Sequence, residues 1–370
     1  MNEPFGTFFF PGPTEVRPEI LRAMVQPMIP HRSAEYQALH RRVNAALQQV
    51  FHTRRPVYLA SGSSTAMMEA AIRNAPEGPI LSVVNGAFAE RFARVAQRCD
   101  RRTRVLSVPW GETPPLDLVE QLLAEGHFAA MTVVHSETST GALSDLRSLA
   151  ELAHRYGAMC LVDSVTGIGG APVETDAWGL DFVLTGSQKA LALPPGMAFA
   201  VASEAYVLQA SATPGRGKYL DIVEYEEFAI KSQTPNTPAL PILFAADVQL
   251  AAILKEGIIA RWGRHADMLA MTERWIEACR ADGLGLAMLP RAGERSPTVS
   301  TITLPDGVSA RDVVDRIAAE GFIIGTGYGA LRDSTIRIGH MGDHSVETLE
   351  PCLEVVGAVL RAEQEGRRGT

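Results

Sequence analysis

Cysteine is scarce in this sequence, and long apolar runs are absent. The 370 residues contain 4 cysteines, which stand far apart at positions 99, 160, 279 and 352. This scatter provides neither a CxxC pair nor a dense disulfide framework, and it favours a reducing compartment. No apolar stretch reaches the roughly 20 residues of a membrane-spanning helix, and residues 1–10 lack the basic start and apolar core of a signal peptide. We therefore expect a cytoplasmic protein without a membrane partner.

Positive charge is also in short supply. The chain has 34 lysine and arginine residues against 42 aspartate and glutamate residues, which gives a formal net charge of −8. This balance argues against nucleic acid as a partner. Lysine occurs only at Lys189, Lys218, Lys231 and Lys255, so a role for any one of them is easily tested.

Two familiar ligand motifs are missing or incomplete. No GxGxxG follows the first predicted strand, which disfavours a nicotinamide enzyme. His340 and His344 have the spacing of metal ligands on a helix, but Gly339 and Gly342 argue against a helix there. We predict that the protein has no metal site.

The first two-thirds of the chain alternate short apolar runs with amphipathic stretches. The runs are bounded by glycine, proline, serine or aspartate and predict buried strands at 57–60, 80–84, 104–108, 129–135, 158–163, 181–185 and 197–202. Helices are predicted between them at 65–74, 88–99, 116–125 and 145–156, the last capped by Asp145. This alternation predicts an α/β fold with a mainly parallel seven-stranded sheet and helices on both faces.

The pattern breaks at 213–241, where prolines and glycines predict a long functional loop and a domain boundary. One long helix is predicted next, at 242–281. Strands at 298–304, 322–324 and 335–338 and helices at 310–320 and 346–361 then predict a small α+β domain. We therefore expect a large domain over 15–240 and a small one over 241–370, with segment 1–14 a candidate to pack on the latter.

Polar groups follow several of the strands, where ligands bind in parallel sheets. The small hydroxyl-rich turn SGSST at 61–65 opens a helix and suits a phosphate, although a plain helix cap is the alternative. Asp163 ends a buried strand, where it either partners a protonated pyridine nitrogen or caps a turn.

Three further positions offer catalytic chemistry. Lys189 follows a strand amid small residues, where loss of water would make it a better nucleophile and base; the alternative is a surface lysine. Thr138 lies in a polar stretch that either lines a ligand site or forms a loop. Arg337 stands among aliphatic residues of a strand, either as a carboxylate clamp or on an exposed face.

Together, these groups could form one site for a phosphate, a ring nitrogen, an aldehyde and a carboxylate. The chain resembles the class V aminotransferases of fold type I. The similarity runs nearly end to end and is greatest to the alanine–glyoxylate, serine–glyoxylate and serine–pyruvate group. It rests on PGPT at 11–14, SGS at 61–63, HSETSTG at 135–141, LVDS at 161–164, GSQKAL at 186–191 with PPG at 194–196, TPNTP at 234–238 and IRIG at 336–339.

The resemblance implies pyridoxal 5'-phosphate as the cofactor, held by Lys189 as a Schiff base and bound at its ring nitrogen by Asp163. It implies that Lys189 also moves the substrate proton. Further contacts with the cofactor are implied for Phe88 and Val165 on the two ring faces, Thr138 on its oxygen side, and Ser63, Ser64, Thr65 and Gln188 at its phosphate. Some family members carry tryptophan in place of Phe88, and some carry histidine in place of Thr65.

The resemblance also implies a homodimer with shared active sites. Thr237 would reach the phosphate of the neighbouring subunit, whereas Thr234 replaces a tyrosine of some members and is given no such role. Arg337 would bind the substrate α-carboxylate, with Gly12 and Thr138 beside it.

The implied reaction is ping-pong transamination between alanine or serine and glyoxylate or pyruvate. Aspartate, phosphoserine or aminoethylphosphonate transaminases and a lyase remain alternatives. A non-catalytic binding protein is disfavoured because Lys189, Asp163 and Arg337 are all present.

Overall fold

Seven short strands build the main sheet of the protein. The computed structural model describes residues 5–368, so the first four residues of the predicted N-terminal segment lie outside the described residues. The strands of the first two-thirds of the chain are β1 (Tyr58–Ser61), β2 (Ile80–Val84), β3 (Thr103–Ser107), β4 (Ala130–Val134), β5 (Ser136–Glu137), β6 (Ala142–Leu143), β7 (Met159–Asp163), β8 (Phe182–Gly186) and β9 (Met197–Ala202). The sheet has the order β1-β9-β8-β7-β4-β2-β3, while β5 and β6 form a separate hairpin.

All of these sheet strands run parallel except β9, which is antiparallel to both β1 and β8. The predicted mainly parallel, seven-stranded sheet is therefore confirmed. Its apolar side chains alternate between two cores: Cys160 and Val162 point to one face and Leu161 to the other. Burial on both faces explains why the strands read as short continuous apolar runs.

Helices cover both faces of this sheet. They are α1 (Pro18–Ala23), α2 (Ala34–Phe51), α3 (Ser64–Arg73), α4 (Ala87–Arg98), α5 (Leu116–Glu125), α6 (Leu146–Arg155), α7 (Glu204–Ala212), α8 (Ile222–Ile230) and α9 (Leu240–Glu256). One core takes side chains from α2, α6 and α9, and the other takes them from α3, α4, α7 and α8. Among the described residues, no helix is both long and apolar enough to cross a membrane.

The last third of the chain forms a second sheet with helices packed against it. Its elements are α10 (Ile258–Ala281), β10 (Ala287–Met288), β11 (Ser300–Thr303), α11 (Ala310–Ala319), β12 (Gly325–Thr326), a 3-10 turn (Gly329–Leu331), β13 (Thr335–Ile338) and α12 (Val346–Arg368). The strands are antiparallel, in the order β10-β11-β13-β12. This is the α+β arrangement that the sequence predicts for the C-terminal part.

The N-terminal segment packs on this second sheet. Phe8 forms a parallel bridge with Ile323, and Phe9 is fully buried in the core of the second sheet. By contrast, Leu243 and Leu250 of α9 belong to a core of the first sheet. The domain division at residue 241 stays a prediction.

Three predicted segments are wrong in detail. The strand expected at 322–324 is displaced, since β12 lies at Gly325–Thr326. The region 213–241 is not one loop, because α8 occupies its middle; the prolines stand outside Ile222–Ile230, and Asp221 caps this helix by accepting from Val223 N–H at 3.0 Å. The helix expected at 242–281 is two helices, since Gly257 between α9 and α10 has a φ of 86°. Helices α1, α2 and α7 were not predicted.

The predicted cap of α6 is confirmed, and it makes a stability test. Asp145 accepts a hydrogen bond from Ser148 N–H at 3.1 Å. We expect Asp145→Ala to lower the free energy of unfolding by about 1 kcal/mol, while Asp145→Asn, which keeps an acceptor, loses less. Chemical denaturation measures the difference, and equal stability of the two variants would contradict the capping role.

Candidate active site

A cavity opens at the carboxyl ends of the parallel strands. Its empty volume, which includes space open to solvent, is about 470 Å³. Nine of the predicted site residues line it: Ser63, Ser64, Thr65, Phe88, Thr138, Asp163, Val165, Gln188 and Lys189. Residues from five separate segments of the chain therefore meet in one cavity.

Lys189 lies in the turn after β8 with its amine withdrawn from water. Its side chain passes beneath Pro11 and Gly12, and Nζ donates a hydrogen bond to the Pro11 carbonyl. Burial, reinforced by the positive charge of Arg337, lowers the pKa of Lys189 to about 7. The residue is 7% exposed, so the surface-lysine alternative is wrong.

Gly12 is at the site for a steric reason. A Cβ there would collide with the Nζ, Cε and Cδ atoms of Lys189, and the φ of Gly12 is 114°, a conformation that favours glycine. The segment 11–13 thus covers the lysine closely. The role of Gly12 toward a substrate stays a prediction.

Asp163 ends β7, next to the strand that leads to Lys189. Its Oδ1 accepts a hydrogen bond from Val165 N–H at 2.8 Å, so the turn-capping alternative describes one of its contacts. Burial raises the pKa of Asp163 to about 7; Glu137 adds to this rise, and Lys189 and Arg91 oppose it. A buried carboxyl group with this environment fits a cationic ring nitrogen, because such a partner would stabilise its charged form.

The turn before α3 presents hydrogen-bond donors without partners in the described part of the chain. Ser63 is the N-cap residue of α3, but its side chain makes no capping hydrogen bond. Ser64 Oγ is buried without a hydrogen-bond partner among the described residues. The first backbone N–H groups of any helix also lack partners within the helix, and the helix dipole favours negative charge there. The plain-cap alternative leaves these donors unexplained, whereas a phosphate fits them.

Ser64 of this turn lies close to Gly186, at the end of β8. A Cβ at Gly186 would collide with Ser64 Oγ and would stand 2.6 Å from Gln188 Oε1. Glycine therefore lets Ser64 and Gln188 approach each other at the same end of the cavity.

Phe88 forms one wall of the cavity. The Lys189 amine lies 5.9 Å from the centre of its ring, and the Arg91 guanidinium lies 4.7 Å from it. The ring of Tyr328 stands 5.6 Å away, centre to centre. Thr138 lies deeper and shares a hydrogen bond of 2.5 Å with Thr166 through their hydroxyl groups.

Arg337 comes from β13 of the second sheet. Within the described part of the chain it is not one of the residues that line the cavity, but it contacts Thr138, which does line it. Its Nε donates to the Thr326 carbonyl at 2.9 Å, and its Nη1 donates to the Thr138 carbonyl at 3.0 Å. The residue is 6% exposed, so the exposed-face alternative is wrong. Burial lowers its pKa to about 10, which leaves it charged near neutral pH. A buried guanidinium with donors to spare can bind a carboxylate.

Thr237 lies outside the cavity of its own chain and is exposed. The stretch before it is fixed by Arg32, whose Nη1 donates to the Thr234 carbonyl at 2.7 Å. The expected contact of Thr237 with a neighbouring subunit stays a prediction.

Sequence reasoning missed several residues of the site. Arg91 lines the cavity one helical turn after Phe88, a spacing that could have identified it. Met68, Ser136 and Thr166 also line it. Glu137 is fully buried in the conspicuous stretch 135–141 and was given no role.

The fold is that of the fold type I, pyridoxal-phosphate-dependent aminotransferases. A family model for the aminotransferase class-V proteins matches residues 15–340. The chain belongs to this family.

Individual relatives cover nearly the whole chain. An uncharacterized aminotransferase of Methanocaldococcus jannaschii is 35% identical over 338 residues, which cover 90% of this chain and 86% of the relative. The alanine–glyoxylate aminotransferase of Mus musculus is 32% identical over 367 residues, covering 95% and 86%. The solved structure of an alanine–glyoxylate aminotransferase from Nostoc sp. matches with a TM-score of 0.89 at 30% identity, covering 97% of this chain and 96% of that one.

Other relatives are named for different amino donors. The L-aspartate–glyoxylate aminotransferase of Paracoccus denitrificans is 30% identical, covering 90% of this chain and 86% of the relative. The serine–glyoxylate aminotransferase of Methylorubrum extorquens is also 30% identical, covering 96% and 89%. These names agree on glyoxylate and differ in the donor.

The low pKa of Lys189 can be measured in the protein freed of any cofactor. We expect reductive alkylation of Lys189 by formaldehyde to rise as the pH passes about 7, because only the neutral amine reacts. Alkylation of free Nα-acetyllysine in the same tube should rise only at a pH of ~10.4. Peptide mass spectrometry reads the labelling, and a midpoint for Lys189 equal to that of the free amine would contradict its desolvation.

The lowered pKa of Lys189 also makes the stability of the folded protein depend on pH in a definite direction. Between about 7 and the ordinary lysine value, the unfolded chain binds a proton that the folded chain does not. The contribution of Lys189 therefore makes the cofactor-free protein more stable as the pH rises through this window.

Proposed function

We propose that this protein transfers the amino group of alanine or serine to glyoxylate or pyruvate, with pyridoxal 5'-phosphate as its cofactor. The observation that carries the proposal is the buried Lys189 amine, which shares one cavity with Asp163 and with the anion-binding turn 63–65. An amine, an acid and an anion site in one cavity match the aldehyde, the ring nitrogen and the phosphate of this cofactor.

The cofactor would be held at three points. Ser64 Oγ, whose hydrogen bond is unmet within the described part of the chain, would donate to the phosphate together with the first N–H groups of α3. Asp163 would keep the ring nitrogen protonated, and Phe88 and Val165 would pack on the two faces of the ring. When bound, the cofactor supplies an electron sink for the bonding pair of the substrate Cα–H.

Lys189 would then act as the acid–base group. Its amine, with a pKa lowered to about 7, takes a proton from the substrate Cα. It then gives the proton back on the same face of the bound substrate. A desolvated amine suits this task because both of its protonation states are accessible near neutral pH.

Arg337 would bind the α-carboxylate of the substrate. Two of its donors are committed to carbonyl oxygens, and these bonds aim the rest of the guanidinium. An amino acid and a 2-oxo acid carry the same carboxylate, so one site serves both substrates in turn. This arrangement implies ping-pong kinetics.

The choice of alanine or serine follows the names of the mouse and Methylorubrum relatives. Aspartate is the second candidate donor, because the Paracoccus relative of similar identity is named for it. We further propose a cytoplasmic homodimer in which Thr237 of one subunit reaches the phosphate site of the other.

The half-reaction tests the proposal directly. We expect the purified protein to bind pyridoxal phosphate with a visible absorption band. Addition of L-alanine or L-serine without an oxo acid should replace this band with that of pyridoxamine phosphate near ~330 nm. L-Aspartate and phosphoserine complete the panel, and Lys189→Ala is the inactive control. Failure of the wild-type protein to take up the cofactor would refute the cofactor assignment. A response to L-aspartate alone would make aspartate the amino donor in place of alanine or serine.

Arg337→Lys should weaken binding of both substrates. We expect KM for the amino acid and for the oxo acid each to rise about tenfold or more, because an ammonium lacks the planar fork of a guanidinium. Binding of pyridoxal phosphate should stay unchanged. Arg332→Lys, in the exposed turn before β13, is the matched control. An unchanged KM for both substrates would exclude Arg337 as the carboxylate site.

A further inference from the structure

Glu137 is a fully buried carboxylate beside the cavity that the proposed reaction does not use. It ends β5, immediately before Thr138. A buried carboxylate is costly unless it is paired or saturated with hydrogen bonds. Within residues 5–368, no cation forms an ion pair with Glu137; backbone N–H groups and one hydroxyl group satisfy it instead.

One oxygen of Glu137 binds the start of α4. Oε2 accepts hydrogen bonds from Phe88 N–H at 3.1 Å and from Ala89 N–H at 3.0 Å. The N-cap residue of α4 is Gly86, which has no side chain to do this. A carboxylate 49 residues away in the sequence therefore caps the helix that carries the aromatic wall of the cavity.

The other oxygen of Glu137 closes the turn that contains Thr138. Oε1 accepts from Ser139 N–H at 3.0 Å and from Ser139 Oγ at 2.5 Å. Thr138 lies between these two residues, and its carbonyl accepts from Arg337 Nη1 at 3.0 Å. Fixing the turn therefore fixes the oxygen that orients the guanidinium.

The two contacts come together at Gly86. A Cβ at this position would stand 2.6 Å from Glu137 Cδ and 2.6 Å from Ser139 Oγ. Ser139 Oγ also accepts a hydrogen bond from Ala87 N–H at 3.0 Å. The start of α4 and the turn at 137–139 are thus packed as one unit, with the carboxylate between them.

We propose that Glu137 is a positioning residue of the active site, which holds the Phe88 ring over Lys189 and the Arg337 guanidinium at the carboxylate-binding end. The proposal rests on the proposed transaminase function of these residues. Glutamine at this position would keep one acceptor oxygen, but its NH2 group would face N–H or O–H donors on the other side, so one of the two walls would lose its acceptor.

Glu137→Gln is the main variant, and Glu90→Gln, an exposed acid on α4, is its control. We expect Glu137→Gln to lower kcat/KM for the amino donor about tenfold, chiefly through KM, and to alter the visible circular dichroism of the bound cofactor. The control should match the wild type in both. Thermal melting records stability separately. Wild-type KM and dichroism in Glu137→Gln would overturn the proposal.

A double-mutant cycle with Arg337→Lys separates positioning from a merely structural role. If Glu137 acts through Arg337, the KM effect of Glu137→Gln should largely vanish in the Arg337→Lys background. If the two substitutions raise KM in the double variant by the product of their separate effects, the proposal is overturned. If Glu137→Gln does not fold, Ser139→Ala takes its place in the cycle, with an expected effect of about threefold in KM. A wild-type protein without transaminase activity would count against the proposed function instead.

Discussion

The withdrawal of one amine from water is the constraint on which the rest of the site depends. Lys189 stands under Pro11 and Gly12, and burial lowers the pKa of its amine to about 7. The same dry surroundings raise the pKa of Asp163 to about 7. A base and an acid are thereby both poised near neutral pH, which surface residues of these types would not be. Gly12 is the steric condition for this, because any Cβ would displace the lysine.

The two sheets supply different halves of the site, and buried polar contacts join them. Asp163 and the turn with Lys189 follow neighbouring parallel strands of the first sheet, while Arg337 comes from the second. Arg261 of α10 links these parts, because its Nη2 donates to the Ala190 carbonyl at 2.9 Å and to Asp343 Oδ1 at 3.0 Å. A buried arginine thus ties the residue after the lysine to the loop that follows β13.

Features that depend on local pattern could be predicted from the sequence. The strands Ile80–Val84 and Met197–Ala202 have their predicted bounds, because they are fully buried apolar runs with turn residues at both ends. Lys189 and Asp163 were candidates because of their places at strand ends, and the family resemblance assigned their roles. Arg337 could not be judged by alternation, since all four residues of its strand are buried. The hydrogen bonds of Glu137 join segments 49 residues apart and leave no local pattern.

The central claim is that Lys189 is the lysine that binds the cofactor covalently, and trapping tests it most directly. The protein is loaded with pyridoxal 5'-phosphate, reduced with borohydride, digested and mapped by mass spectrometry. We expect the added mass on the peptide that contains Lys189, in a chain whose other lysines are Lys218, Lys231 and Lys255. Trapping on one of these three, or no trapping at all, would show that Lys189 does not bind the cofactor.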